Sequence, residues 1–188
     1  MKGRTRMSDL SSRKVLIVVH DWGIEETELT RPLGDLREAG VQVTLAAPTL
    51  NDVETLQHDR YPGAAVTPDA LISDVAAADF DLLVVPGGTC NVDHLRINPS
   101  AIQLAKDFAQ SGKTIAAICH GPWLLVNAGV LGGKTLTSCR YISADVENAG
   151  GVHEDREVVV DNASGWKLIT SRKPDDLDAF VGAIKEAL

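Results

Sequence analysis

The stretch Thr114-Ile115-Ala116-Ala117-Ile118-Cys119-His120-Gly121-Pro122-Trp123 decides how the rest of the chain is read. A short run of β-compatible residues stops at a cysteine, and Trp123-Leu124-Leu125-Val126 then opens a helical pattern. The reading is strand, sharp turn, helix, with Cys119 at the turn. A thiol at a helix N-terminus meets unpaired N–H groups and the positive end of the helix dipole, both of which favour thiolate over thiol. The alternative is a buried cysteine packed as a small apolar side chain. Its position at the junction, not inside the apolar run, favours the reactive reading.

Working outward, residues 14–19 form a continuous apolar run, as expected of a central strand covered on both faces. His20-Asp21-Trp22-Gly23 reads as the loop at its carboxyl end, and residues 24–39 as a helix closed by Gly40. Pro32 predicts an irregular first half around Glu25, Glu26 and Glu28, because an interior proline costs a helix about 3 kcal/mol. Residues 41–47 are a second strand. The signal weakens over 49–78, where extended pieces at 53–57 and 65–67, with a turn at Tyr61-Pro62-Gly63, suggest a small excursion from the main sheet. A buried strand at 81–85 ends in Pro86-Gly87-Gly88, and Asn98-Pro99 supplies the N-cap and first residue of a helix over 100–110. Beyond the cysteine helix come a strand at 134–138, a short helix at 141–148, and a hairpin pairing 157–160 with 167–171. An amphipathic helix over 174–188 closes the chain, with Leu177, Phe180, Ile184 and Leu188 on one stripe. Alternating strands and helices imply an α/β fold with a mostly parallel sheet covered on both faces. Residues 1–13 read as a mobile tail and 14–188 as one α/β domain.

With 188 residues the chain is long enough for one full core, whereas two domains would each be marginal. A formal charge of -8 argues against nucleic acid or an anionic membrane as partner. No apolar stretch approaches membrane-spanning length, and no apolar segment marks a signal peptide near the start. Cys90, Cys119 and Cys139 lack CxxC spacing, which suits a reducing cytoplasm, and their odd number leaves at least one thiol free. No zinc pattern and no cofactor motif is present.

Ligands of open parallel sheets bind beyond the strand carboxyl ends, which here contribute residues 22–28, the Pro-Gly-Gly loop, the Cys119 turn and the segment after Ser138. Cys119 is the candidate nucleophile. Backbone N–H groups of the Gly87-Gly88 loop and of His120 are candidates to hold an oxyanion. Glu28 or Glu25 could set a carboxyl group beside the sulfur, either holding a proton or acting as a base; the alternative is a solvated acidic first turn. His120 is a candidate proton handler. Trp22 belongs to the first of these segments, and Trp123 reads as core or pocket wall. Cys90 could serve as a resolving thiol.

Five segments together resemble the PfpI family: 117–123 around the cysteine, Gly23-Ile24-Glu25-Glu26-Thr27-Glu28 through Pro32, Val85-Pro86-Gly87-Gly88, Glu147-Asn148-Ala149-Gly150, and Ser171-Arg172-Lys173-Pro174-Asp175-Asp176-Leu177. This is the PfpI branch of the ThiJ/PfpI superfamily, and the resemblance runs from about residue 14 to the C-terminus. It implies a flavodoxin-like three-layer sandwich with a nucleophile elbow at Cys119, and homo-oligomers built on dimers. It further implies that Glu28 hydrogen-bonds the cysteine and that His120 pairs with an acid from the neighbouring subunit, a position matched by Asp93. The family's activities imply a cytoplasmic, stress-protective cysteine hydrolase acting on peptides or on glyoxal-derived carbonyl adducts. They also admit a redox-responsive protein whose Cys119 is oxidised to sulfenic or sulfinic acid, or a scaffold without turnover. Cys139-Arg140-Tyr141 departs from the aromatic-proline pattern of relatives and implies a different pocket shape.

Overall fold

The computed structural model describes residues 10–188. Residues 1–9 of the expected tail lie outside the described residues, while Leu10–Ser12 forms a 3-10 turn closed by a hydrogen bond from Arg13 N to Leu10 O.

The main sheet is built from β1 (Lys14–Val18), β3 (Gln42–Ala47), β6 (Ala70–Leu71), β7 (Leu82–Val85), β8 (Thr114–Ile118), β11 (Val159–Asp161) and β12 (Leu168–Ser171). Its strand order is β11-β12-β8-β7-β1-β3-β6, parallel throughout except for the β11–β12 hairpin at one edge. A smaller sheet joins β2 (Trp22–Glu25), β4 (Val53–Gln57) and β5 (Tyr61–Val66), and β9 (Thr135–Leu136) pairs with β10 (Val152–His153). The helices are α1 (Glu26–Glu38), α2 (Thr89–Leu95), α3 (Pro99–Gln110), α4 (Pro122–Ala128), α5 (Ser143–Asn148) and α6 (Leu177–Ala187).

The two-residue period of the strands builds the three layers. Leu16, Val18, Leu83, Val85, Ile115 and Ala117 share one core with Leu104 and Phe108 of α3 and Leu124 and Leu125 of α4. Val15, Ile17, Leu82, Val84, Ala116 and Ile118 point the other way, into a core with Leu29, Leu33 and Leu36 of α1 and Leu177, Phe180 and Ile184 of α6. The uninterrupted apolar runs are those of strands that bury both faces.

The expected elements are present with local corrections. The region 22–25 is a strand, not the loop and helix start expected, because it pairs in parallel with β4. Pro32 does not disturb α1, which runs unbroken through it; Leu29, Pro32, Leu33 and Leu36 are buried along it, and that packing outweighs the lost amide. Tyr61, Pro62 and Gly63 lie within β5, and the reversal occurs earlier, at His58 and Asp59, both with positive φ. The strand expected over 134–138 shrinks to β9.

Lys134 shows why. Its side chain is wholly buried, with Nζ 3.2 Å from Asp161 Oδ1 and donating to the carbonyls of Ala163 and Trp166, and it lies over the Trp166 ring at 4.0 Å. Thr135 N also donates to Asp161 Oδ2, and Thr137 N to Thr170 Oγ1. The segment is therefore fastened to the β11–β12 hairpin largely through side chains. Replacing Lys134 by Met leaves buried acceptors unpaired, and the expected loss is about 3 kcal/mol, read as a lower urea midpoint with an unchanged slope.

Candidate active site

Cys119 follows β8 with φ +61, a left-handed conformation that a non-glycine residue adopts only when its surroundings enforce it. Here its N–H donates to Ser171 O and its carbonyl accepts from Cys139 N, both at 2.9 Å. The next turn leaves no room for a side chain at Gly121, where a Cβ would lie 2.5 Å from Val85 O. Strand end, elbow and helix start are thus the arrangement expected of the opening sequence, and the sulfur projects from the carboxyl end of the sheet.

Glu28, on the first turn of α1, is fully buried. Its Oε2 accepts from Gly87 N at 3.0 Å, while Oε1 is buried without a partner. Burial drives this carboxyl well above the ordinary range, helped by the negative charges of Glu25 and Asp59 and opposed by hydrogen bonds from Gly87 and Cys119. This carboxyl, beside the sulfur, therefore holds its proton more tightly than an exposed glutamic acid does. Gly87 is fixed by the same contact: a Cβ there would sit 2.2 Å from Glu28 Oε2 and 2.7 Å from Cys119 Cβ.

His120 is buried, with Nδ1 3.3 Å from Cys119 Sγ and Nε2 3.3 Å from Thr89 Oγ1. Thr89 Oγ1 donates to Asp59 Oδ2 at 2.9 Å and Thr89 N to Asp59 Oδ1 at 3.0 Å. The hydroxyl proton is committed to Asp59, so Thr89 Oγ1 accepts from Nε2–H, and Nδ1 is the lone-pair nitrogen facing the sulfur. Glu25 supports this chain from below, accepting from His58 N and Asp59 N and holding the left-handed turn that presents Asp59. Sequence reading missed Thr89 and Asp59: one follows the glycine loop, and the other lies in the weakly patterned 49–78 segment.

The N–H groups of Gly88 and His120 have no acceptor among the described residues, whereas that of Gly87 is engaged by Glu28. Gly88 and His120 thus remain as oxyanion donors and Gly87 does not. Trp123 forms a wall, its ring 5.2 Å from His120, under the Arg96 guanidinium, with Nε1 donating to Asp145. Trp22 is 42% exposed on β2 and makes no polar or ring contact with Cys119 or His120. Asp93 is exposed on α2, and within the chain the place beside His120 Nε2 belongs to Thr89.

The sequence suggested a Cys119 thiol acidified by a helix end. The structure reverses that, raising its pKa through the neighbouring Cys139 thiol first, then burial and the adjacent Glu28 carboxyl group. The helix end contributes little because Gly121 N and Trp123 N donate to Ile118 O and His120 O inside the turn, and α4 has only seven residues. Cys139 is lowered instead, by its hydrogen bond with Cys119 and then by His120 and the Tyr141 amide. The donor atoms of Cys119, His120 and Cys139 lie within 4.8 Å of one another, a trio of the softer kind that suits zinc. Spacing patterns miss it because Cys139 arrives from a separate loop. Cys139 also borders a cleft of about 500 Å³ lined by Ser138, Arg140, Tyr141, His153, Arg172 and Lys173.

A cysteine on a strained strand-to-helix elbow, backed by a buried glutamic acid on a three-layer α/β frame, defines a class of cysteine-elbow proteins. The chain belongs to the DJ-1/PfpI family, whose model matches residues 13–187. It is 41% identical over 170 residues to the Escherichia coli protein/nucleic acid deglycase 2, covering 90% of this chain and 94% of that one. It is 40% identical over 169 residues to the putative cysteine protease YraA of Bacillus subtilis, covering 90% and 94%. A crystal structure of a two-domain protein from Anabaena variabilis, with DJ-1/ThiJ/PfpI-like and ferritin-like domains, superposes with a TM-score of 0.83 at 34% identity. That match covers 93% of this chain and 49% of that one, so the chain spans about half of the two-domain protein.

A raised folded-state pKa at Glu28 stabilises the fold below the ordinary carboxylate range, and that contribution is lost as pH rises through the folded value. Glu28→Gln keeps an acceptor for Gly87 N and cannot ionise. The variant is expected to match or exceed the wild-type melting temperature at pH 8, with a flatter pH dependence; a larger loss at pH 8 than at pH 5 would contradict a raised Glu28 pKa.

Proposed function

We propose that the chain is a cysteine-dependent hydrolase of deglycase type, acting on small glyoxal-derived carbonyl adducts. The observation that carries this reading is the convergence on Cys119 of an acceptor nitrogen, two unpaired N–H groups and a buried carboxyl group. Cys119 gives its proton to His120 Nδ1, and the thiolate displaces the amine from the adduct's carbinol carbon: the C–S bond forms, the C–N bond breaks and the amine leaves with the imidazolium proton. A proton shift from that carbon to the adjacent carbonyl carbon, through the enediol, turns the hemithioacetal into a thioester. Water adds to it, the N–H groups of Gly88 and His120 hold the oxyanion, and the C–S bond breaks to release a hydroxy acid and the Cys119 thiol. Thr89 and Asp59 hold the ring in the required tautomer, as an orienting acid does in a catalytic triad.

Two features favour a small adduct over a peptide. The cleft of about 500 Å³ bordered by Cys139, whose thiol neighbours Cys119, is of the size that takes small molecules. Glu28, its carboxyl pKa raised beside the sulfur, adds an acid–base group that a Cys–His pair cleaving an amide does not need, and that proton shifts on a hydroxy-carbonyl adduct do. The named deglycase among the relatives agrees with this choice, and the named cysteine protease keeps peptides as the competing substrate. The working unit in this reading is a homodimer or higher oligomer in the cytoplasm, and Asp93, exposed on α2, is the rival to Thr89 and Asp59 for the orienting role, supplied by a second copy.

Methylglyoxal-treated amino acids, incubated with wild type and Cys119→Ala, provide the test through release of free amine. Turnover is expected to fall by about a thousandfold or more in the variant, with peptides cleaved more slowly than the adducts are hydrolysed; equal turnover by both proteins would remove the enzyme reading.

The in-chain relay has its own check. Thr89→Val should lower kcat about tenfold to a hundredfold with little change in KM, and Asp93→Ala should leave kcat within about twofold. The opposite pattern would assign the orienting role to the neighbouring subunit.

A further inference from the structure

We propose that Cys119 and Cys139 form a reversible intramolecular disulfide in response to hydroperoxides, with Cys139 as the built-in partner thiol of the elbow cysteine. This rests on the reading of Cys119 as the hydrolase nucleophile only in so far as the disulfide would switch that activity off. All three cysteines are free in the structure, and the sulfurs of Cys119 and Cys139 belong to the cluster whose donor atoms lie within 4.8 Å of one another. The hydrogen bond from Cys139 N to Cys119 O holds the two main chains side by side. Residues so joined have Cα atoms on the order of 5 Å apart, inside the range that disulfides bridge. Closing the bond thus asks for side-chain rotation without main-chain rearrangement.

Both ends are presented for the reaction. Cys119 is partly exposed, so an oxidant the size of a hydroperoxide reaches the pair, and Cys139, only 8% exposed, borders the neighbouring cleft. His120 Nδ1 stands 3.3 Å from Cys119 Sγ and takes up the proton released. In the first step a thiolate of the pair attacks the outer oxygen of the hydroperoxide; the O–O bond breaks, and the alkoxide leaves as an alcohol after taking a proton. In the second, the other sulfur attacks the sulfenic acid; the S–O bond breaks, and hydroxide leaves as water with the second thiol proton. Two thiols are oxidised by two electrons and one hydroperoxide is reduced to alcohol and water. A dithiol reductant reverses the change. Cys90 does not compete, because its side chain packs against Gly23, near Asp59 and Asp93, and lies outside the Cys119 cluster.

The distinction from an elbow cysteine acting alone is chemical. A sulfenic acid with no thiol within reach proceeds to sulfinic acid, which does not return to thiol with dithiols, whereas one with a neighbouring thiol is trapped as disulfide. Cys139 would therefore protect Cys119 from overoxidation.

Reduced protein, held in a chelator to keep metal off the thiols, is treated with hydrogen peroxide in slight excess and followed by intact mass, thiol titration and peptide mapping. Wild type is expected to become about 2 Da lighter, to lose two of its three titratable thiols, and to yield a peptide linking Cys119 to Cys139. Dithiothreitol should restore both mass and thiols. Cys139→Ser should instead gain about 32 Da and resist dithiothreitol, while Cys90→Ser should behave as wild type. Direct gain of oxygen by the wild type, or a linkage through Cys90, would overturn the proposal. The wild-type peptide map decides the matter even if a variant folds poorly. Because mass and linkage need no substrate, they are separate from turnover: a disulfide in a protein that hydrolyses no adduct overturns the hydrolase reading alone, and turnover without a disulfide overturns this one alone.

Discussion

The structure depends on one main-chain constraint, the left-handed backbone at Cys119. A non-glycine residue there costs on the order of 1–3 kcal/mol, and it persists because both its amide and its carbonyl are fixed, by Ser171 on β12 and by Cys139 on the adjoining loop. Those anchors rest on the parallel pairing of β8 with β12 and on the apolar cores above and below the sheet. The strain aims the sulfur out of the sheet, where a relaxed residue would continue the strand. Large buried surface thus supports a small local cost, and the reactive atom is held at a fixed place relative to the Gly87-Gly88 loop.

Around that atom two carboxyl groups have separate settings. Glu28 is deprived of water and lies near Glu25 and Asp59, which raises its pKa well above the ordinary carboxylate range. Glu25, by contrast, accepts two backbone N–H groups from the His58–Asp59 turn. The same helix start therefore supplies two carboxyl groups with separate tasks: the first meets the sulfur, and the second builds the turn that orients His120. Choosing between Glu25 and Glu28 from spacing alone treated as alternatives two residues that act together.

Much of the frame was legible because its causes are local. Asn98 caps α3 through bonds from Ser100 N and Ala101 N, as the Asn-Pro pair indicated, and the stripe Leu177, Phe180, Ile184 enters the core as its period required. Cys119, His120, Glu28 and Gly88 were all legible as candidates, each from its place at a strand or helix end. What escaped has causes distant in the chain. Asp59 reaches the site through a turn held by Glu25, 34 positions away, and Thr89 acts only once Asp59 is present. The reversal of the Cys119 acidity likewise needed Cys139, which no local pattern joins to the elbow.

The placement of Cys139 follows from a feature remote from the chemistry. The loop that carries it leaves β9, and β9 is too short to be held by sheet bonding. Buried Lys134 and Thr170, with the partly exposed Asp161, tie residues 134–137 to the hairpin at the sheet edge, and Ser138 Oγ lies 3.1 Å from His153 Nε2 further along. The two thiols thus stand on supports of different kind: Cys119 on the central strands, Cys139 on an edge assembly held by one buried ammonium group and a few side-chain bonds. Edge assemblies of this kind open at lower free energy than central strands. Loosening that edge would separate the second sulfur from the first and release the carbonyl anchor of the elbow, so the proximity of the thiol partner and the strained backbone at Cys119 are structurally coupled.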